Sequence, residues 1–139
     1  MPAIKGVLET SLYVDDLARS VAFYKRVLGF ELLQTYEPRL AVMNVVGRQV
    51  LLLFKKGASV KPSPTPGGTV PPTDGSGNLH LTFSIPASDF ELWRESLTKN
   101  TIAIESEVRW ETGSQSLYFR DPDGHVLELM TVPGAWGIF

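Results

Sequence analysis

Glu9, His80 and Glu128 are the residues of this chain whose type and setting suit chemistry. Each is an acid or an imidazole set in a strand-like run otherwise made of apolar and small hydroxyl residues. The runs are Val7-Leu8-Glu9-Thr10-Ser11-Leu12-Tyr13-Val14, Leu79-His80-Leu81-Thr82-Phe83-Ser84-Ile85 and Val126-Leu127-Glu128-Leu129-Met130. Side chains alternate across a strand, so parity splits each run into two faces. Leu8, Leu12 and Val14 share one face, and Glu9 and Ser11 the other. Leu79, Leu81, Phe83 and Ile85 oppose His80, Thr82 and Ser84, and Leu127 and Leu129 oppose Glu128. Two carboxylates and one imidazole on the non-core faces of three strands make a donor set for a hard or borderline divalent metal.

Two helices and eight strands would position these groups. The first helix is expected over Leu17–Leu28. Asp16 stands where an N-cap belongs, and Gly29 where a left-handed residue ends a helix. Leu17, Val21, Tyr24, Val27 and Leu28 give it an apolar stripe. The second is expected over Asp89–Lys99, with Ser88 and Glu91 spaced as a capping box and Phe90, Trp93 and Leu97 as its stripe. Strands are expected over Glu9–Val14, Phe30–Tyr36, Leu40–Val46, Gln49–Phe54, Leu79–Ile85, Ile102–Trp110, Ser116–Arg120 and Val126–Met130. Asp121-Pro122-Asp123-Gly124 is a tight-turn sequence that makes a hairpin of the last two strands. A stretch rich in Pro, Gly, Ser and Thr lies between Lys56 and Leu79, is expected to lack regular structure, and reads as either a linker or a lid. It separates two halves that each read strand, helix, three strands, an internal repeat.

Bulk properties exclude several classes. A length of 139 residues is one domain's worth, with 43% hydrophobic and 20% charged residues, as in a soluble globular protein. A net charge of −2 gives no basic footprint for nucleic acid. No apolar run is long enough to span a bilayer, and Met1-Pro2-Ala3-Ile4-Lys5-Gly6 lacks a signal-peptide pattern. With no cysteine there is no disulfide, thiolate ligand or thiol nucleophile. A cytoplasmic location fits these features.

The repeat and its residues resemble the vicinal oxygen chelate superfamily of glyoxalases, bleomycin-resistance proteins, fosfomycin-resistance enzymes and extradiol dioxygenases. The resemblance lies in Leu12-Tyr13-Val14-Asp15-Asp16-Leu17-Ala18-Arg19-Ser20-Val21-Ala22-Phe23-Tyr24, in Val27-Leu28-Gly29-Phe30, and in Leu117-Tyr118-Phe119-Arg120-Asp121-Pro122-Asp123-Gly124-His125-Val126-Leu127-Glu128-Leu129. It implies an α+β fold in which two βαβββ modules form a cup-shaped mixed sheet. The modules would run over about 5–56 and 79–132, joined by the 57–78 loop and followed by a 133–139 tail. The resemblance also implies metal ligands on the first and last strands of each module. Those positions are Glu9 and Leu52, then His80 and Glu128. Glu9 departs from the usual histidine, and Leu52 from the carboxylate of glyoxalase I-like members. Homodimers are common in the family, with Glu9 and the His80–Glu128 pair coming from different chains in many such arrangements.

The resemblance therefore implies an enzyme that uses a divalent metal (Mn, Fe(II), Ni, Zn or Mg) on a small oxygenated metabolite. Glu9 or Glu128 would act as base, and a lyase or isomerase is favoured over a ring-cleaving dioxygenase. Leu52, Phe54, Trp110, Tyr118 and Arg120 are candidate substrate contacts. Other readings stay open. Glu9 can pair with an arginine such as Arg48 or Arg109, aromatic strand residues can simply be core, and Arg120 can be solvated beside its turn. His125, at the exit of the turn, is expected to be exposed. Trp136 and Phe139 belong to a tail that folds over the sheet or meets a second chain. A metal-free, bleomycin-resistance-like binding protein is the alternative function, and a member with an empty cup is a third.

Overall fold

The computed structural model describes residues 1–137, and the chain divides into two compact units, Met1–Gly77 and Asn78–Phe139. Phe139 lies outside the described residues, and Trp136 is exposed.

The first unit contains β1 (Glu9–Val14), α1 (Leu17–Leu28), β2 (Glu31–Tyr36), β3 (Leu40–Val45) and β4 (Gln49–Lys55). Its sheet order is β1-β4-β3-β2, with β1 parallel to β4 and the other pairs antiparallel. Helix α1 starts where the Asp16 side chain accepts the Arg19 amide at 3.0 Å and stops at Gly29 with φ 71°. The αL conformation costs glycine nothing, so the chain can turn there without strain. The buried stripe of α1 is Leu17, Ser20, Phe23, Tyr24 and Val27. Ser20 and Phe23 are buried in it, whereas Val21 and Leu28, expected there, are half-buried. Leu12, Val14, Leu51, Leu53, Ala41 and Met43 form the buried side of the sheet. Leu8, expected among them, precedes the strand and is exposed; its carbonyl accepts the Val50 amide.

The segment expected to lack regular structure contains a short hairpin, β5 (Ser63–Thr65) and β6 (Gly68–Val70), around Pro66-Gly67. This corrects the sequence reading: Pro followed by Gly favours a tight turn, and a two-residue turn needs little flanking strand. The Thr65 hydroxyl closes it on the Gly68 carbonyl at 2.7 Å. Further on, the Gly75 backbone lies so close to the Tyr13 ring that a Cβ would overlap it. Tyr13 in turn stacks on Phe54, with centroids 5.7 Å apart.

The second unit repeats the pattern with β7 (His80–Ile85), α2 (Phe90–Lys99), β8 (Ser106–Arg109), β9 (Gln115–Arg120) and β10 (Val126–Thr131). Its order is β7-β10-β9-β8, with β7 parallel to β10. Phe90 and Leu97 are the buried residues of α2. The capping box does not form. A 3₁₀ turn, Ala87–Asp89, leads into α2, the Ser88 hydroxyl donates to Asp89, and Glu91 pairs with Arg94. The Pro86 φ of −61° starts a tight turn, so Ser88 never reaches the extended backbone an N-cap requires. Both units are thus α+β with mixed four-stranded sheets. No helix among the described residues is long and apolar enough to cross a membrane.

Candidate functional site

Strand register gathers a polar face in the second unit. His80 is opposite Val126 and Thr82 opposite Glu128 across the parallel β7–β10 pair. Glu128 is opposite Tyr118, and Val126 opposite Arg120, across the antiparallel β9–β10 pair. Opposed residues share a face, so His80, Thr82, Glu128, Tyr118 and Arg120 all lie on one side of the sheet. Leu81, Phe83, Leu127, Leu129, Leu117 and Phe119 lie on the other, as parity requires.

Glu128 is 3% exposed, whereas the His80 side chain is 51% exposed. Glu128 Oε2 accepts the Thr82 hydroxyl at 2.9 Å and faces His80 Nε2 at 3.1 Å. Its Oε1 is buried without a hydrogen-bond partner. His80 Nδ1 lies 3.0 Å from the Val126 carbonyl oxygen. A carbonyl only accepts, so Nδ1 carries the hydrogen and, in the neutral ring, Nε2 carries a lone pair. That lone pair faces a carboxylate oxygen and the Thr82 oxygen, 3.2 Å away, whose hydrogen is given to Glu128. The pair therefore lacks one positive charge or one proton, and the adjacent Oε1 lacks a partner. An unsatisfied buried acceptor costs about 1–3 kcal/mol, and more when it is charged.

A divalent cation fits this arrangement. Imidazole nitrogen and carboxylate oxygen are ordinary ligands of such ions, and a ring held by Nδ1–H to a backbone carbonyl is the usual support for Nε2 ligation. Two of the three proposed ligands are thereby brought together. Among the described residues no group of three His, Cys, Asp or Glu forms a metal set.

Tyr118 closes one side. Its ring stacks on the His80 imidazole at 6.2 Å and 22°. Burial, followed by the Glu128 carboxylate beside it, pushes its phenol up to about 12. The hydroxyl is therefore a neutral donor at physiological pH. Arg120 is not a free guanidinium. Its Nε and Nη2 donate to Glu105 at 2.7 and 3.1 Å, and Nη1 donates to the Gly124 carbonyl at 2.8 Å. Each member of the ion pair favours the charged form of the other. Trp110 follows β8 and donates Nε1–H to the Ser116 hydroxyl at 2.8 Å, two residues along β9 from Tyr118.

In the first unit, Glu9 is exposed and lies opposite Val50. Leu52 lies opposite Ser11 and Val42. The two registers correspond: Glu9, Ser11, Leu52 and Val42 occupy in the first sheet the places of His80, Thr82, Glu128 and Tyr118 in the second. The first sheet thus offers apolar groups where the second offers a carboxylate and a phenol. Leu52 is half-buried, and Phe54 is buried under Tyr13.

Sequence reasoning missed two residues. Thr82 was legible only as a hydroxyl sharing parity with His80; its bond to Glu128 is a consequence of register. His125, expected to be exposed, is 1% exposed. The Asp121 carboxylate, itself buried, accepts the Asp123 and His125 amides at 2.9 Å each and folds the turn inward.

The chain is similar to several known proteins. The chain is 33% identical over 132 residues to the metallothiol transferase FosB of Staphylococcus haemolyticus, spanning 92% of this chain and 84% of that protein. It is 30% identical over 122 residues to virulence protein STM3117 of Salmonella typhimurium, at 85% and 76% coverage. The crystal structure of a lactoylglutathione lyase from Agrobacterium tumefaciens superposes with a TM-score of 0.85 at 30% identity, covering 94% of this chain and 96% of that one. The sequence model of the Glyoxalase/Bleomycin resistance protein/Dioxygenase superfamily matches residues 6–129, and the chain belongs to that superfamily.

Proposed function

We propose that this protein is a divalent-metal-dependent enzyme acting on a small oxygenated substrate. The observation that carries the proposal is the buried Glu128 carboxylate, with one oxygen facing the His80 Nε2 lone pair and the other unpartnered. His80 and Glu128 would hold the metal, and Glu9, at the position equivalent to His80, is the proposed third donor. The proposed assembly is a homodimer. A bound divalent ion supplies Lewis-acid polarisation of a substrate oxygen.

The chain's own residues supply the rest. Thr82 fixes the Glu128 rotamer, and the Val126 carbonyl fixes the His80 ring. The Tyr118 hydroxyl donates a hydrogen bond toward a substrate oxygen beside Glu128. A carboxylate of this set, Glu9 or Glu128, accepts a proton from a substrate carbon as general base. Leu52, Phe54 and Trp110 supply apolar and aromatic contacts.

A lyase or isomerase reaction is preferred, in line with the lactoylglutathione lyase similarity. Thiol transfer is the second reading, because the FosB relatives are metallothiol transferases. The test offers the protein, loaded in turn with Mn, Ni and Zn, lactoylglutathione in one assay and a small electrophile plus a thiol in another. We expect turnover in one assay, lost in Glu128→Ala. No turnover in either, together with metal-independent binding of cationic drugs that survives His80→Ala, would favour a sequestering protein instead.

A further inference from the structure

We propose that His125, a histidine outside the metal site, is the positioning residue that sets the tautomer and orientation of His80. The inference rests on the reading of His80 and Glu128 as metal ligands and extends it to a residue that touches neither the metal nor the substrate.

Strand β7 lies at the edge of its sheet, so backbone pairing holds it on one side only, through a parallel ladder to β10. Parallel pairs are slightly weaker than antiparallel ones, and strand ends fray. His80 is the first residue of this strand, where fraying would be greatest. Three bonds pin the end. The Leu79 amide donates to His125 Nδ1 at 2.9 Å, the Val126 amide donates to the Leu79 carbonyl at 2.8 Å, and His80 Nδ1–H donates to the Val126 carbonyl at 3.0 Å. Backbone and side chain of residues 79 and 80 thus bind the same two residues, 125 and 126.

His125 is well placed for this role because it is itself fixed. It is buried, its amide is held by Asp121 Oδ1, its carbonyl accepts the Asp121 amide at 3.1 Å, and Arg120 braces the preceding Gly124 carbonyl. Accepting from an amide requires a lone pair on Nδ1, so His125 is the Nε2–H tautomer and His80 the Nδ1–H tautomer. Loss of the acceptor leaves the Leu79 amide without its partner, releases the start of β7, and frees the His80 ring to turn from Val126. Nε2 then no longer points steadily at Glu128.

The chain has only two histidines, so both can be followed at once. The experiment records imidazole ¹H–¹⁵N long-range spectra of the chelated protein, then Mn(II) affinity by titration, for wild type, His125→Phe and His125→Asn. Phenylalanine keeps a planar ring without the acceptor, and asparagine puts an oxygen where Nδ1 sits. In wild type we expect a single Nδ1–H tautomer for His80. In His125→Phe the expected result is averaging between tautomers and Mn(II) binding weakened about 10–100-fold, the usual effect of losing a ligand's outer support. His125→Asn should restore both to near wild type. Should His125→Phe not fold, His125→Asn against His125→Gln carries the test, since glutamine places its amide one bond too far. His80 spectra indifferent to residue 125, or asparagine no better than glutamine, would overturn the proposal. A His80 tautomer that follows residue 125 in a protein that binds no Mn(II) would sustain the positioning role and refute the metal reading. Mn(II) binding with an indifferent His80 would do the reverse.

Discussion

At the residue scale, the site depends on one buried carboxylate and the groups that read its charge. Tyr118 reports it. Burial and Glu128 hold the phenol proton to about 12, so a difference titration of the metal-free protein against Tyr118→Phe should show one tyrosine ionising in that region. Glu128→Gln removes the negative charge and should bring the midpoint back toward the ordinary value of about 10. The linkage follows from the direction of the shift. A folded-state pKa above the unfolded one means that the Tyr118 contribution to stability is complete below about pH 10 and is lost as pH rises from there toward 12. An unchanged midpoint in Glu128→Gln would leave burial as the sole cause. The types and parity of Glu9, His80 and Glu128 were legible in sequence because strand alternation is a local rule. The Thr82–Glu128 bond, 46 residues apart, was not, because register is set by tertiary pairing.

At the element scale, strand β1 and helix α1 match their sequence-based bounds because the Asp16 cap and Gly29 stop are local signals. The α2 start moved, since Pro86 imposed a 3₁₀ turn that the Ser88 and Glu91 spacing did not reveal. The 57–78 loop held a hairpin because Pro66-Gly67 outweighed the expectation that Pro- and Gly-rich sequence stays irregular. The Gly75 backbone rests against Tyr13 of the same unit, and the Thr73 amide donates to the Ser59 carbonyl at 2.9 Å within the loop itself. Gly75→Ala should therefore shift the loop or the Tyr13 ring. Limited proteolysis should cut the 57–78 segment faster in that variant, with the overall melting temperature changed little. Equal cleavage rates would show that the Gly75 contact does not restrain the loop.

At the scale of the whole molecule, two copies of one topology carry different chemistry at matching register positions. The first sheet has Glu9, Ser11, Leu52 and Val42 where the second has His80, Thr82, Glu128 and Tyr118. The repeat was legible because each half shows the same order of periodicities. The mapping of Leu52 onto Glu128 needed the register. Glu9 is exposed, so Glu9→Gln should leave folding stability within about 0.5 kcal/mol of wild type, as for an ordinary surface change. If Glu9 is the third donor, the same variant should weaken Mn(II) binding by about tenfold or more, in keeping with the loss of a charged ligand. Unchanged affinity would remove Glu9 from the ligand set while leaving His80 and Glu128 in it.

The central claim, that His80 and Glu128 hold a divalent metal, is tested most directly by metal content. Protein purified without chelator or affinity metal would be analysed by mass spectrometry as wild type, His80→Ala and Glu128→Ala, each confirmed to be folded. The account predicts near-stoichiometric metal in wild type and its loss in both variants. No metal in wild type, even after incubation with Mn, Fe(II), Ni and Zn, would contradict it, as would metal retained in both variants.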